Sequence, residues 1–202
     1  MEVGGRTRPY RQVARARAQR LTRDALIVAA QTEFFAGRWE EASLEAIAGS
    51  AGVTKQTLLR HFGSKDGLLE RALERGYSEV RDQRFNTPVG DVAAAVDNLL
   101  DHYEQWGERA IRISAVDGLG AVAAGIRRRA RQLHYDWVEH TFGPSLQRLS
   151  ANDRSRRRAA LIALCDVHTW SLLWHDLELP RAEVRATLID AIERLIPEVT
   201  KK

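Results

Sequence analysis

Hydrophobic positions recur with the period of an α-helix along most of this chain. Between Leu44 and Ala51 the apolar side chains fall at i, i+3, i+4 and i+7, which is one face of a 3.6-residue period. No stretch alternates with period two for long, and glycine and proline are sparse. The pattern therefore predicts an all-α chain.

Two short helices joined by a tight turn are predicted within the segment Leu44–Lys65. Ser43 can cap the first helix, because its hydroxyl can accept a hydrogen bond from a free backbone N–H. Gly52 is where the chain can reverse, since glycine enters left-handed conformations without a Cβ clash. Thr54 can then cap the second helix, so the segment has the outline of a helix-turn-helix.

The second of these helices has the composition of an element that reads DNA. No carboxylate lies between Glu45 and Asp66, whereas several cations do. A helix in a major groove needs short polar side chains near its N-terminus for base edges, and flanking cations for phosphates. The candidate DNA-binding residues are Ser43, Thr54, Lys55, Gln56, Thr57, Arg60, His61 and Lys65.

The same segment resembles the N-terminal domain of the tetracycline-repressor (TetR) family over about residues 22–75. The family pattern runs roughly I-A-x-x-A-G-V-S/T, then T-L/V-Y-x-H-F, then S-K-x-x-L. The matching residues here are Ile47, Ala48, Ala51, Gly52, Val53, Thr54, Thr57, Leu58, Arg60, His61, Phe62, Ser64, Lys65, Leu68 and Leu69. Two positions depart: Leu59 replaces a tyrosine that usually contacts a phosphate, and Gln56 replaces a common glycine and can add a base-reading amide.

The resemblance implies a sequence-specific transcriptional regulator. Its partners would be double-stranded DNA, as a palindromic operator, and a second copy of the chain. It also implies a small effector bound by a C-terminal helical bundle, which would release a repressor from its operator. Whether this chain represses or activates is not encoded in any residue of the sequence.

Residues 21–86 are predicted to form the helix-turn-helix domain. Its first helix is expected to start after Thr22, and Trp39 is expected to close the small core from a loop. A fourth helix, Ser64–Phe85, should link to the rest of the chain before a segment that contains proline and glycine. Residues 87–202 are then predicted to form the helical domain for effector binding and dimerisation.

Large amphipathic side chains on the predicted C-terminal helices are the candidate effector contacts. An apolar or aromatic effector would suit such side chains, although packing in the core explains most of them equally well. These candidates are Tyr103, Trp106, His134, Trp137, His168 and Trp170.

The run from Ala159 to Trp174 is apolar on nearly every side, so as a helix it must be covered all round. It is too short and too polar for a membrane span, which needs about 20 apolar residues. A partner subunit is therefore the predicted cover, together with the last helix, which should begin at Pro180. The candidate interface residues are Leu161, Leu164, Leu172, Val184, Leu188, Ile192 and Leu195.

Positive charge is concentrated in residues 1–20. Six arginines against one glutamate give this arm a charge of +5, and because the whole chain carries +4, the remainder carries −1. Such an arm can bind phosphates or an adjacent minor groove. It can equally be a disordered, solvated extension.

Composition and motifs limit the other classes of protein to which the chain can belong. The 202-residue chain is 44% hydrophobic, which suffices for one or two cores, and its single cysteine, Cys165, allows no internal disulfide and fits a reducing cytoplasm. No signal peptide is recognised. No phosphate loop, nucleophile elbow or metal-ligand spacing is present, so we predict neither an enzyme nor a metal or cofactor site. An architectural DNA-binding protein that uses the arginine arm and an all-helical enzyme are the competing alternatives.

Overall fold

The computed structural model describes the backbone of residues 7–115 and 120–196 and most of their side chains. Within that part of the chain every regular element is helical, which confirms the all-α prediction. None of these helices is both long enough and apolar enough to cross a membrane. The elements are α1 (Thr7–Phe35), α2 (Leu44–Ser50), α3 (Lys55–Phe62), α4 (Lys65–Phe85), α5 (Val92–Ala115), α6 (Gly120–Leu146), α7 (Ala151–Leu164), α8 (Val167–Ser171), a π-helical turn (Leu172–Asp176) and α9 (Arg181–Leu195).

The chain divides into two compact units between Gly76 and Tyr77, which lie inside α4. This division differs from the boundary predicted at residue 86, which follows the end of α4 at Phe85. The reason is that the second half of α4 bonds to the C-terminal helices: the side chains of Gln83 and Asn98 each donate to the other's backbone carbonyl, at 2.9 and 2.8 Å.

The N-terminal unit is built on α1, which packs against α2, while α2 packs against α3. Each helix contributes an apolar face to one small core, and Trp39 closes that core from the loop, as predicted. Gln31 of α1 also donates to the backbone carbonyl of Ala72 in α4, at 2.9 Å. The buried residues of this unit are Leu26, Ile27, Ala30, Phe34, Trp39, Ile47, Ala48, Leu58, Leu68, Leu69 and Ala72.

The first helix begins at Thr7, so the predicted start after Thr22 is wrong, and so is the disordered arm as far as residues 7–20 are concerned. Arginine and alanine favour helix, and Pro9 is tolerated because the first turn of a helix needs no N–H from it. Side chains 12–20 are exposed. The first six residues of the predicted arm lie outside the described part of the chain.

The C-terminal unit surrounds a second core. The buried residues of α5 include Val96, Leu99, Leu100 and Tyr103. On α6, Leu133 and Trp137 are buried while Ala130 is exposed. The core residues are Ala95, Val96, Leu99, Leu100, Tyr103, Trp137, Val138, Phe142, Leu146, Leu161, Cys165, Trp170, Leu173, Val184, Leu188 and Ile192.

The apolar run 159–174 is not one helix. α7 ends at Leu164, and Asp166 starts α8 by accepting a hydrogen bond from the N–H of His168 at 2.9 Å. On the two sides of this break, Leu161, Cys165, Trp170 and Leu173 are buried within the chain. Pro180 stands just before α9 as its N-cap rather than inside the first turn.

Four of the seven residues predicted for the dimer interface lie instead in the core of the C-terminal unit. Leu161, Val184, Leu188 and Ile192 are all within 1% of complete burial in the core of the single chain, so no partner can reach them. Leu164 and Leu195 are half-buried, and Leu172 is exposed.

Candidate functional site

The turn between α2 and α3 is fixed by local chemistry. The hydroxyl of Ser43 accepts from the N–H of Ala46 at 3.1 Å, and that of Thr54 accepts from the N–H of Thr57 at 3.3 Å, which confirms both predicted caps. Gly52 has a φ of +70°, a conformation that side-chain-bearing residues rarely adopt. These features set where α3 starts.

Burial on one side of α3 decides which side faces solvent. Leu58 is completely buried, and residues two positions away on a helix point to the opposite side. Gln56 and Arg60 are accordingly exposed, as is Lys55, and Leu59 is half-buried beside them. We call Lys55, Gln56, Leu59 and Arg60 the recognition face.

The other predicted DNA contacts lie elsewhere. Thr57 is half-buried and its hydroxyl lies 3.1 Å from that of Thr54, so its hydrogen-bonding capacity is shared within the turn. His61 is half-buried on the flank of α3. The structure therefore brings Lys55, Gln56 and Arg60 together on one face and separates them from the side chains that build the turn.

Lys55 has a partner that the sequence did not reveal. Its Nζ lies 2.8 Å from Oε1 of Glu45, and both side chains are exposed. The hydrogen bond from Lys55 lowers the pKa of the Glu45 carboxyl. A phosphate that binds Lys55 must therefore compete with this carboxylate.

Lys65 is held at the start of α4. Its Nζ donates to the backbone carbonyl of Glu40 at 3.2 Å and lies 5.0 Å from the centre of the Trp39 ring. Ser64 caps α4 by accepting from the N–H of Gly67 at 3.0 Å. A cation is thus positioned beside a helix N-terminus, where backbone dipoles also favour an anion.

The predicted effector contacts fall into three groups. Tyr103, Trp137 and Trp170 are buried, and Trp106 and His134 are half-buried. His168, the sixth predicted contact, is exposed on α8, which begins after its cap at Asp166.

Arg84 is a buried residue that the sequence analysis missed. Only 3% of it is exposed, and its guanidinium carbon lies 3.9 Å from the centre of the Trp137 ring. The signal that points to it is periodicity, since Arg84 follows Tyr77 and Val80 at i+7 and i+4 on one face of α4.

Known proteins with a similar sequence or fold include bacterial regulators. Residues 26–72 match the sequence model of the bacterial regulatory proteins of the tetR family. The chain is 28% identical over 112 residues to the HTH-type transcriptional regulator AlkX of Mycobacterium tuberculosis, across 55% of this chain and 49% of that protein. It therefore spans about half the length of this curated relative.

Two solved structures show the same fold. A tetR-family regulatory protein from Rhodococcus RHA1 is 16% identical with a TM-score of 0.55, over 87% of this chain and 96% of the other. A TetR-family regulator from a Rhodococcus species is 19% identical with a TM-score of 0.54, over 88% and 99% of the two chains. The chain is therefore similar to bacterial regulatory proteins of the tetR family in sequence over residues 26–72 and in fold over most of its length.

Proposed function

We propose that this protein is a sequence-specific DNA-binding transcriptional regulator that acts as a homodimer on a palindromic operator and is released from it by a small ligand. The observation that carries the proposal is the recognition face of α3. It presents an amide at Gln56 and cations at Lys55 and Arg60 in one exposed patch. An amide can read adenine through two hydrogen bonds, and cations bind phosphates.

A second copy of the chain is part of this proposal because one recognition helix contacts only a few base pairs. A twofold pair reads two half-sites roughly 34 Å apart, one helical turn of DNA. The surface that supports dimerisation is apolar and near the break after α7. Leu172 and Leu177 are 49% and 56% exposed, and Leu164 and Leu195 are half-buried.

Release by a ligand is the third part of this proposal. A ligand weakens operator binding if it binds more tightly to a dimer whose two DNA-binding units are spaced so that they do not fit the two half-sites. A coupling free energy of about 1–3 kcal/mol corresponds to a loss of about 5- to 150-fold in operator affinity. The aromatic interior of the C-terminal unit supports an apolar or aromatic ligand.

The test begins with selection of the preferred duplex from a random library. Gln56→Ala should then cost about 1–3 kcal/mol on the selected duplex and little on a shuffled one, because only a base-reading contact depends on sequence. Arg60→Ala should weaken binding to both duplexes by a similar factor and reduce the salt dependence. The matched control is Gln147→Ala, an exposed glutamine of the C-terminal unit, which should change neither.

The architectural alternative has one observation in its favour, namely the exposed arginines on the first turns of α1. Replacing Arg15, Arg17 and Arg20 by glutamine removes three charges from this helix without cutting it. A specific regulator should lose affinity for all DNA yet keep its preference for the selected duplex. If binding is lost almost completely and no preference remains, the architectural function is correct and the proposed one is wrong.

A further inference from the structure

The C-terminal unit contains a buried cation without a counter-ion. Arg84 is 97% shielded from solvent, and within the described part of the chain no carboxylate is close enough to form an ion pair with it. Its Nη2 atom is buried and has no hydrogen-bond partner. A buried charge is normally paired, since its hydration is lost on burial.

The backbone of Arg84 is held by hydrogen bonds that do not involve its guanidinium. Its backbone carbonyl accepts hydrogen bonds from Nε1 of Trp137 at 2.9 Å and from the hydroxyl of Thr87 at 3.0 Å. The side chain lies over the Trp137 ring, and its guanidinium carbon is 5.8 Å from the centre of the Tyr103 ring. The charge therefore faces aromatic surfaces rather than acids.

Two histidines near Arg84 are also incompletely bonded. Nδ1 of His102 and Nδ1 of His134 are buried without a partner. Burial lowers the pKa of His102 well below its usual value, and the charges of Arg84 and His134 lower it further. Burial likewise lowers the pKa of His134. Both rings are therefore neutral near pH 7, and neither adds a second positive charge beside Arg84.

Hydrogen bonding fixes the tautomer of His134. Its Nε2 lies 2.9 Å from the carbonyl oxygen of Ile162, which can only accept, so Nε2 carries the proton and Nδ1 is an unused acceptor. Asp166 is a nearby acid, because its charge affects His134 and Tyr103, but its Oδ1 is engaged as the cap of α8. The surroundings of Arg84 thus contain a cation without a counter-ion, a hydrogen-bond acceptor without a donor, and aromatic faces.

We propose that the C-terminal unit binds a small monocarboxylic acid with a ring-containing apolar body, whose carboxylate pairs with Arg84 and whose ring lies against Tyr103, Trp137 and Trp170. A guanidinium matches a carboxylate through two parallel hydrogen bonds. A hydroxyl on the ring would donate to Nδ1 of His134. Phosphate fits poorly, because one cation cannot satisfy its several charged oxygens among aromatic rings.

This inference rests on the proposed function, because it names the chemical class of the releasing ligand. The probes are benzoate and 4-hydroxybenzoate, each compared with its uncharged amide, which keeps the ring and loses the charge. Thermal unfolding and titration calorimetry of the full chain measure binding directly. An acid at 100 times its Kd should raise Tm by about 5 °C or more, while its amide should not.

Arg84→Met is the decisive variant, because it keeps an unbranched apolar stem and removes the charged guanidinium. It should abolish the response to the acids and, without any acid, leave Tm unchanged or raised, since an unpaired buried charge has been removed. Arg84→Lys should keep the charge and bind the acids about tenfold more weakly, because the paired hydrogen bonds are lost. The control is Arg81→Met, one turn earlier and exposed, which should respond like the wild type.

Several results would overturn the proposal. These are an equal response to acid and amide, a response retained by Arg84→Met, an equal response to chloride or phosphate, and no response to either acid. A sharp fall in Tm for Arg84→Met without acid would also overturn it, because Arg84 would then be structural. Binding to the selected duplex is measured on the same variants. DNA preference without acid binding refutes only this inference, and acid binding without DNA preference refutes only the proposed function.

Discussion

The turn between α2 and α3 can be tested with one chemical change made at two glycines. Gly52 has a φ of +70° in the turn, whereas Gly49 lies inside α2 with ordinary helical backbone. A Cβ added at either residue meets no atom within 4 Å, so steric crowding is absent at both. Any difference between the two alanine variants must therefore come from the backbone conformation.

The expected effects have opposite signs. Gly52→Ala places a Cβ in the left-handed region and should destabilise the chain by about 1–2 kcal/mol. Gly49→Ala removes the entropic cost of a glycine inside a helix and should stabilise it by about 0.5–1 kcal/mol. The two variants should therefore differ by about 1.5–3 kcal/mol, which is well above the error of an unfolding experiment.

Urea unfolding of the full chain measures both variants. Trp39 is the only tryptophan of the N-terminal unit, so its fluorescence contributes the signal of that unit. Far-ultraviolet circular dichroism follows all helices together. Hydrogen exchange at the N–H of Val53, which donates to the carbonyl of Ala48 at 2.9 Å, reports on the turn itself. If both substitutions change stability in the same direction, or if Gly52→Ala is neutral, the account of the turn is wrong.

Three further predictions follow from other residues. Glu45→Gln should free Lys55 to bind a phosphate, so DNA binding should strengthen. In a salt titration, the slope of log K against log salt should steepen by about 0.9 per protomer. An unchanged slope would exclude the contact between Lys55 and a phosphate. His102 and His134 bind protons in the unfolded chain but not in the folded chain. The free energy of unfolding should therefore have its full value above about pH 6.5. It should fall below that pH by up to about 2.7 kcal/mol per pH unit, and His102→Asn should roughly halve the slope in urea titrations at several pH values. Leu188→Ala should cost about 2–5 kcal/mol of stability, whereas Leu172→Asp should leave the protomer folded and weaken the dimer in analytical ultracentrifugation; a stable dimer with Leu172→Asp would remove that face from the interface.

The helix-turn-helix could be predicted because its determinants are local. The caps at Ser43 and Thr54 each bond to an N–H three residues away, and Gly52 meets a conformational requirement of its own residue. The period of apolar positions also indicates which side of α3 is buried. Nothing distant in sequence is needed to reach these conclusions.

The burial of four residues of the predicted dimer face could not be foreseen, because burial depends on distant contacts. Leu161 and Leu188 have the same pattern whether a partner covers them or their own chain does, and only the folded C-terminal unit shows that it is their own chain. The break after α7 was also hidden, because Asp166 inside an apolar run reads equally as a buried polar residue or as a cap. Periodicity indicates which side of a helix is apolar, but not which element packs against that side.

Arg84 and the start of α1 were missed for different reasons. An arginine near the end of a helix is usually solvated, so its burial against Trp137 cannot be read from composition. The arginines before Thr22 suggested a DNA-binding arm or a disordered extension because of their charge and exposure, although arginine and alanine are also good helix formers. In both cases charge was given more weight than helical pattern.

The central claim is that the recognition face of α3 reads a particular DNA sequence as part of a dimer. The most direct test is fluorescence anisotropy of the full chain on its selected duplex and on a shuffled duplex, at about 150 mM salt because electrostatic binding depends strongly on ionic strength. The account predicts a preference of about 10³-fold or more, with two chains bound per site. Equal binding to both duplexes, with the same steep salt dependence, would contradict it.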